Sequence, residues 1–287
     1  MQTRKLVFNS DDFGYSSAFN EGIRRGYLSG VLTSTCILAN GEAFDQAVDV
    51  VLPELENIGV GIHLNIIEGR SLTSQKMLTD SEGVFNNGFV QILQKSYNKE
   101  FIKQVEIESR AQIEKILSKT PVDHINSHVH THAIPELFKL TCKLAKDYEI
   151  SNIRTQYEKP YFVPNFHKHM RMKYPINLVK LVLLNNFSSI NKDYLKKVGL
   201  NTNDYILGVS YTGYMDEDSV IYGLNAIKDE SCLTEILIHP TYFEKTNIEK
   251  PLNYNEFLIT QSDTIKSRII GQNWELSNYK QMIPTLT

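Results

Sequence analysis

Apolar runs of strand length, rich in aliphatic and β-branched residues, alternate with helix-length stretches along most of this chain. Parallel strands need a crossover between them, usually a helix, so the alternation predicts a largely parallel sheet built from βα units. Strands are expected at 5–9, 31–38, 58–67, 122–127, 153–156, 205–210 and 233–239. Helices are expected over 43–51, 90–97, 101–117, 135–147 and 256–266. A further helix begins at Ser16 or Ser17 and carries Phe19, Ile23 and Tyr27 on one face. Asn40-Gly41 closes the second strand, Pro53 ends one helix and Pro135 opens another. Residues 73–87 are polar and turn-rich and read as a loop over one end of the fold. At 287 residues two domains are conceivable, yet a single α/β barrel commonly reaches about 250 residues. No internal repeat or low-complexity tract divides the chain, so one domain over 1–287 is expected.

One stretch departs from the pattern. Residues 157–186 set Tyr157, Tyr161, Phe162, Phe166 and Tyr174 among Lys159, His167, Lys168, His169, Arg171 and Lys173. The stretch reads as an insertion between βα units. It is either a packed excursion, a subunit contact that would make a homodimer, or a lip whose aromatic faces support a sugar ring.

Composition narrows the partners. Lys and Arg number 30 against 33 Asp and Glu, a formal charge of -3, which argues against nucleic acid or an anionic membrane. No run approaches the ~20 apolar residues of a membrane span or the ~7–15 of a secretory signal core. Cys36, Cys142 and Cys232 are widely spaced with no CxxC pair, which suggests reduced thiols. A soluble, cytoplasmic protein is expected.

Polar clusters stand near the C-terminal ends of the expected strands, where (β/α) barrels place their reactive groups. Asp11-Asp12-Phe13-Gly14 follows the first strand. Two adjacent carboxylates there can divide labour between binding a cation and handling a proton, or can simply make a turn. In Gly61-Ile62-His63-Leu64-Asn65, strand alternation puts Gly61, His63 and Asn65 on one face, which suits a cavity better than a packed core. His124-Ile125-Asn126-Ser127-His128-Val129-His130-Thr131-His132 gathers four of the chain's eight histidines. A straight strand would spread them over ~26 Å, so at most one or two can ligate one ion. The others line the pocket or orient neighbours. His239-Pro240 ends an apolar strand with a histidine suited to acid or base work. Arg154, after Ile153, is a candidate cation for a pocket carboxylate.

In this order the motifs resemble the YdjC-like carbohydrate deacetylases, the family that includes chitooligosaccharide deacetylase. The resemblance rests on Asn9-Ser10-Asp11-Asp12-Phe13-Gly14, Gly61-Ile62-His63-Leu64, the 124–130 series and His239-Pro240. Gly30-Val31-Leu32-Thr33-Ser34-Thr35 and Asn40-Gly41 add to it. It implies a distorted TIM-like (β/α) barrel, α/β in class, with the inserted segment around 157–203. It also implies one divalent ion, Zn²⁺ or Mg²⁺, held by Asp12, His63 and His128. Asp11 then matches the general base and His239 the residue assisting the leaving amine. Asn65, Asn126, His130, His132 and Arg154 remain for substrate contact or for orienting the ligands. The implied reaction is hydrolysis of an N-acetyl group from an amino sugar or oligosaccharide, releasing acetate. A metal-dependent phosphohydrolase and a non-catalytic sugar-binding barrel are the alternatives. The family usually shows Asp-Ser-His-His-His where this chain has Asn126-Ser127-His128-Val129-His130. The expected sugar contacts at Asn126 and Val129 therefore differ from the family's.

Overall fold

The structure, a computed structural model, describes residues 4–164, 174–243 and 252–281. Seven strands lie in the order β5-β4-β3-β2-β1-β7-β6. They are β1 (Arg4–Phe13), β2 (Ser34–Ile37), β3 (Gly59–Leu64), β4 (His124–Ser127), β5 (Asn152–Ile153), β6 (Tyr205–Leu207) and β7 (Cys232–Ile238). Every pairing is parallel. An eighth strand, β8 (Trp274–Ser277), joins β1 in parallel along Arg4–Val7. Because β7 covers one edge of β1 from Arg4 to Ser10, β8 and β2 divide the other edge, with β2 pairing from Asn9 onward.

The strands curl into a distorted (β/α) barrel whose seam lies between β5 and β6. Among the described residues no regular ladder closes it, only an isolated bridge between Asn152 and Asn201. Ile153 N donates to Asn201 O (2.9 Å), Asn201 N to Ser151 O (2.9 Å) and Ile206 N to Tyr157 O (2.9 Å). The Asn203 amide stands in for a missing strand residue: its Oδ1 accepts from Thr155 N (2.8 Å) and its Nδ2 donates to Thr155 O (2.9 Å).

The helices are α1 (Ser17–Leu28), α2 (Phe44–Gln46), α3 (Phe89–Lys95), α4 (Lys99–Leu117), α5 (Pro135–Asp147), α6 (Tyr174–Val198), α7 (Glu217–Ala226), α8 (Leu252–Gln261) and α9 (Asp263–Gly271). α2 runs on through a wider turn over Ala47–Val51 before Pro53. In α4, Asn98 Oδ1 caps the N-terminus by accepting from Glu100 N (2.9 Å) and Phe101 N (3.2 Å). Its buried face runs through Phe101, Val105, Gln112, Ile113 and Ile116, a helical spacing. Among the described residues no helix is long and apolar enough to cross a membrane.

Alternation along each strand sorts the core. Leu6, Phe8, Ile37, Ile62, Ile125, Ile153, Ile236 and Ile238 belong to the main apolar cluster. The residues between them, including Asn9, Asp11, Cys36, His63, His124, Asn126 and Glu235, are buried on the opposite side, as a period of two requires. The barrel interior is therefore polar.

Several expectations are corrected. The first strand does not stop at residue 9 but continues through Asp11 and Asp12 to Phe13, since both carboxylates find buried partners. The single late helix expected at 256–266 is two, because the Ser262 hydroxyl accepts from Ile265 N (3.1 Å) and starts α9. α7 and β8 were not expected at all. The stretch set apart at 157–186 contains the first half of α6, the crossover from β5 to β6, so it is part of a lengthened βα connection. Phe166, His167, Lys168, His169, Arg171 and Lys173 lie outside the described residues.

Candidate active site

Asp11 and Asp12 face different partners because β1 slips its register against β2 between Ser10 and Phe13. Asp12 sits there at φ 66°. A bulge of this kind re-aims a side chain, and Asp tolerates the left-handed region better than most residues.

Asp12 Oδ1 meets His63 Nε2 at 3.2 Å and His128 Nδ1 at 3.0 Å. His63 lies on β3 and His128 directly follows β4, with ring centroids 5.5 Å apart. One ligand atom from each of Asp12, His63 and His128 lies within 4.8 Å of the others. The hydrogen bonds around them decide the tautomers. Asn126 Nδ2 donates to Asp11 Oδ1 (3.1 Å) and to Cys36 Sγ (2.9 Å). Its Oδ1 is thereby left facing His63 Nδ1 at 2.6 Å, so that nitrogen carries the hydrogen. In neutral His63 the Nε2 lone pair then points at a carboxylate oxygen. His128 stands between two carboxylates, with Nε2 at 3.1 Å from Glu68 Oε2. Both contacts call for a cation, either a proton or a metal ion, and two imidazoles with one carboxylate are metal-ligand chemistry. With protons alone, burial opposes the charge on His128, but bonds to Asp12 and Glu68 prevail and raise its pKa to about 10. Burial likewise opposes ionisation of Asp12, yet His128 and His63 hold it well below the usual carboxylate range.

Asp11 belongs to a second, deeper network. Arg154 grips it with both terminal nitrogens, 2.7 Å to Oδ2 and 2.7 Å to Oδ1. Asn9 Nδ2 also donates to Oδ1 (2.9 Å). Arg154 pairs with Glu235 as well, and Glu235 in turn accepts from the Tyr279 hydroxyl. Burial pushes the Asp11 pKa up, but Arg154 and then His63 overcome it, leaving the carboxyl ionised far below its ordinary range.

His239 follows β7. Buried Glu256 of α8 accepts from its backbone N (2.5 Å) and lies 3.2 Å from Nδ1. Burial opposes the imidazolium, yet Glu256 raises the His239 pKa above the ordinary histidine value, with Asp12 and Asp11 contributing.

The remaining candidates are scattered by a sharp turn after β4. Val129 and His130 take left-handed backbone at φ 52° and 57°, an uncommon conformation for a β-branched residue. His128, His130 and His132 therefore leave in different directions. His132 accepts or donates at Ser127 Oγ (2.5 Å), Arg154 O (3.1 Å) and Gln156 Nε2 (2.8 Å), and burial with Arg154 nearby lowers its pKa to about 3. It braces the wall as a neutral ring. His130 is buried, its Nδ1 has no partner among the described residues, and burial keeps it neutral. His124 lies below the site, between Cys36 Sγ (3.0 Å) and Asp123, stacked on Tyr279. Asn65 shapes the loop after β3: its Oδ1 accepts from Ile67 N (3.0 Å) and Glu68 N (3.1 Å). Glu68, Glu235 and Glu256 escaped the sequence reading. Glu235 is the one charged residue of β7, a readable signal; Glu68 and Glu256 carry none.

The family model described as YdjC-like protein matches residues 5–271. A carbohydrate deacetylase of Clostridium beijerinckii is 39% identical over 148 residues, covering 51% of this chain and 58% of that protein. The chain thus matches little more than half the length of that relative. A carbohydrate deacetylase of Listeria monocytogenes is 31% identical over 236 residues, covering 80% of this chain and 91% of that protein. A solved structure from Enterococcus faecalis V583, described in terms of cellobiose-phosphate cleavage, superposes with a TM-score of 0.72 at 21% identity. It covers 97% of this chain and 98% of its own. With the family model spanning nearly all of the sequence, the chain belongs to the YdjC-like family.

Proposed function

We propose that this protein is a metal-dependent hydrolase that removes an N-acetyl group from an amino sugar or oligosaccharide, releasing acetate. The observation that carries the reading is the convergence of Asp12, His63 and His128 within 4.8 Å, in a chain whose relatives are named carbohydrate deacetylases. Those three residues hold one divalent ion, and a set of two imidazoles and one carboxylate suits Zn²⁺ better than Mg²⁺. When bound, such an ion polarises the acetyl carbonyl and makes water a nucleophile near neutral pH.

The chain's own residues supply the rest. Asp11 Oδ1 already accepts from Asn9, Asn126 and Arg154, whereas Oδ2 accepts from Arg154 alone. Oδ2 is therefore the atom that takes the proton from the attacking water. Arg154 keeps Asp11 ionised at every working pH, and the same cation makes it a weak base, so proton acceptance is nearly complete only late in the attack. His239 donates to the departing amine; Glu256 holds Nδ1 and keeps the ring charged, leaving Nε2 for the substrate. Asn126 serves both halves of the site, orienting His63 and filling Asp11 Oδ1. His130 and His132 form the neutral wall. Acetate release from a panel of N-acetylated sugars, with elemental analysis of the purified protein, tests the reading. Phosphate release from phosphosugars, or metal-loaded protein that frees no acetate from any substrate, would overturn it.

A further inference from the structure

The floor of the barrel is closed by the last described residues of the chain. After β8 the turn Tyr279–Gln281 crosses the end of the barrel opposite the metal-ligand group. Asn278 Nδ2 donates to Asn57 O (3.1 Å) and Lys280 Nζ to Ile58 O (2.7 Å), just before β3. Tyr279 O accepts from Asn152 Nδ2 of β5 (3.3 Å). The Tyr279 side chain is thereby turned inward. Its ring is fully buried, packs with Val7 and Leu233 and stacks on His124. Tyr279 lies beyond residues 5–271, the stretch that the family model matches, and no step of the proposed reaction uses it.

The Tyr279 hydroxyl donates to Glu235 Oε2, and from there the reaction centre is two contacts away. Glu235 Oε1 accepts from Arg154 Nη2, and Arg154 spans both oxygens of Asp11 at 2.7 Å each. Arg154 Nε has no partner among the described residues, so the two carboxylates alone orient the guanidinium. They compete for it. Asp11 takes one N–H from each terminal nitrogen and Glu235 the other N–H of Nη2, while the second oxygen of Glu235 is occupied by Tyr279. Without that hydroxyl, Glu235 would carry an unsatisfied oxygen in a fully buried place, a costly state. The donors already at hand are those of Arg154, whose fork favours bidentate pairing. The guanidinium would turn toward Glu235, and Asp11 Oδ2 would lose its sole donor and its aim. We propose that Tyr279 is a positioning residue for proton transfer: by occupying Glu235 Oε2 it holds Arg154 on Asp11 and so fixes the direction of Asp11 Oδ2. This rests on the deacetylase reading for the part of Asp11 as base, but the linkage from Tyr279 to Arg154 is measured without turnover.

Tyr279→Phe keeps the ring, its stack on His124 and the floor, and deletes only the hydroxyl. The assay is acetate release by the metal-loaded full chain from N-acetylglucosamine, N,N′-diacetylchitobiose and the other N-acetylated sugars of the panel. In Tyr279→Phe, kcat should fall by ~10–100-fold with KM and metal content unchanged, as for an interaction made only in the transition state. The effect must vanish when Glu235 can no longer compete. Glutamine has one acceptor oxygen, so adding Tyr279→Phe to Glu235→Gln should change kcat by less than about threefold. The same pattern is read without substrate by NMR. The Nη resonances of Arg154 should shift with Tyr279→Phe in the wild-type background and stay in place in the Glu235→Gln background. Equal kcat in Tyr279→Phe and wild type, loss of the metal, or the same loss of kcat in both backgrounds would overturn the proposal. If Tyr279→Phe alone does not fold, the Glu235→Gln background decides, where a large loss of kcat overturns it. The expected Arg154 shifts together with no acetate release from wild type would retain the linkage and sink the deacetylase reading alone.

Discussion

Gly61 lies on β3 two residues before His63, and its lack of a side chain is a packing requirement. A Cβ built there would lie 2.4 Å from both Cε1 and Nε2 of His124. The ring cannot simply step aside. It contacts Cys36 Sγ at 3.0 Å, bonds Asp123 and stacks on Tyr279 with centroids 4.2 Å apart. Gly61→Ala must therefore displace β3 or rotate His124. Rotation forfeits two hydrogen bonds of about 1 kcal/mol each and a ring stack of about 0.5–1.5 kcal/mol. The sum, about 3 kcal/mol, matches the upper range for overpacked cores and is a large part of a domain stability of about 5–15 kcal/mol. Urea unfolding of Gly61→Ala, His124→Ala and the double variant measures it. His124→Ala removes the obstacle, so the double variant should be no less stable than His124→Ala alone, a coupling of about 3 kcal/mol in the double-mutant cycle. Additive losses, or a Gly61→Ala midpoint indistinguishable from wild type, would refute the packing argument.

Other outcomes follow from the site. Asp11→Asn keeps the shape and removes the acceptor, so acetate release should fall by ~10²–10⁴ with metal content near one per chain; loss of the metal would exchange the roles of Asp11 and Asp12. Elemental analysis of His63→Ala and His128→Ala should show the ion gone, and Glu68→Ala should weaken its binding by ~10–100-fold; full metal in both histidine variants would place the ion elsewhere. Glu256→Gln should shift the basic limb of kcat/KM to lower pH, because the raised His239 pKa depends on that carboxylate. The pair stabilises the fold fully below the unfolded histidine pKa of about 6.5 and loses its effect as pH rises through the higher folded value. Urea midpoints of Glu256→Gln and wild type should therefore differ most in acid and converge in alkali, and a gap constant with pH would exclude the pairing.

Much of the architecture was legible because periodicity and burial speak the same language. Ile62 and Leu64 against Gly61, His63 and Asn65 announce two faces of a strand, and α5 begins at Pro135 and ends at Asp147 as expected. What local pattern cannot show is partnership across the barrel. Arg154 reads as a cation for some pocket carboxylate, but nothing in the pattern says that Asp11 is the one, and nothing near 239 points to Glu256. The continuation of β1 through two aspartates was hidden for that reason: in isolation Asp-Asp breaks a strand, and only distant donors make its burial tolerable. β8 was missed because Trp274–Ser277 is short and only its ends are buried, too little alternation to register.

The irregular seam between β5 and β6 divides the molecule into parts of unequal cohesion. Asp12, His63 and His128 hang from β1, β3 and β4, which sit within continuous ladders, whereas the seam depends on isolated bonds and the Asn203 amide. Opening free energies follow such local bonding, so the β5–β6 junction should be among the first cooperative units to part in native-state fluctuations. Breathing there would loosen the wall in which His132 meets Gln156 and the Arg154 carbonyl, while the ladders among β1 to β4 keep the ligand spacing fixed. The barrel is thus hinged like a cuff, stiff where charge must be held to a fraction of an ångström and compliant along its seam.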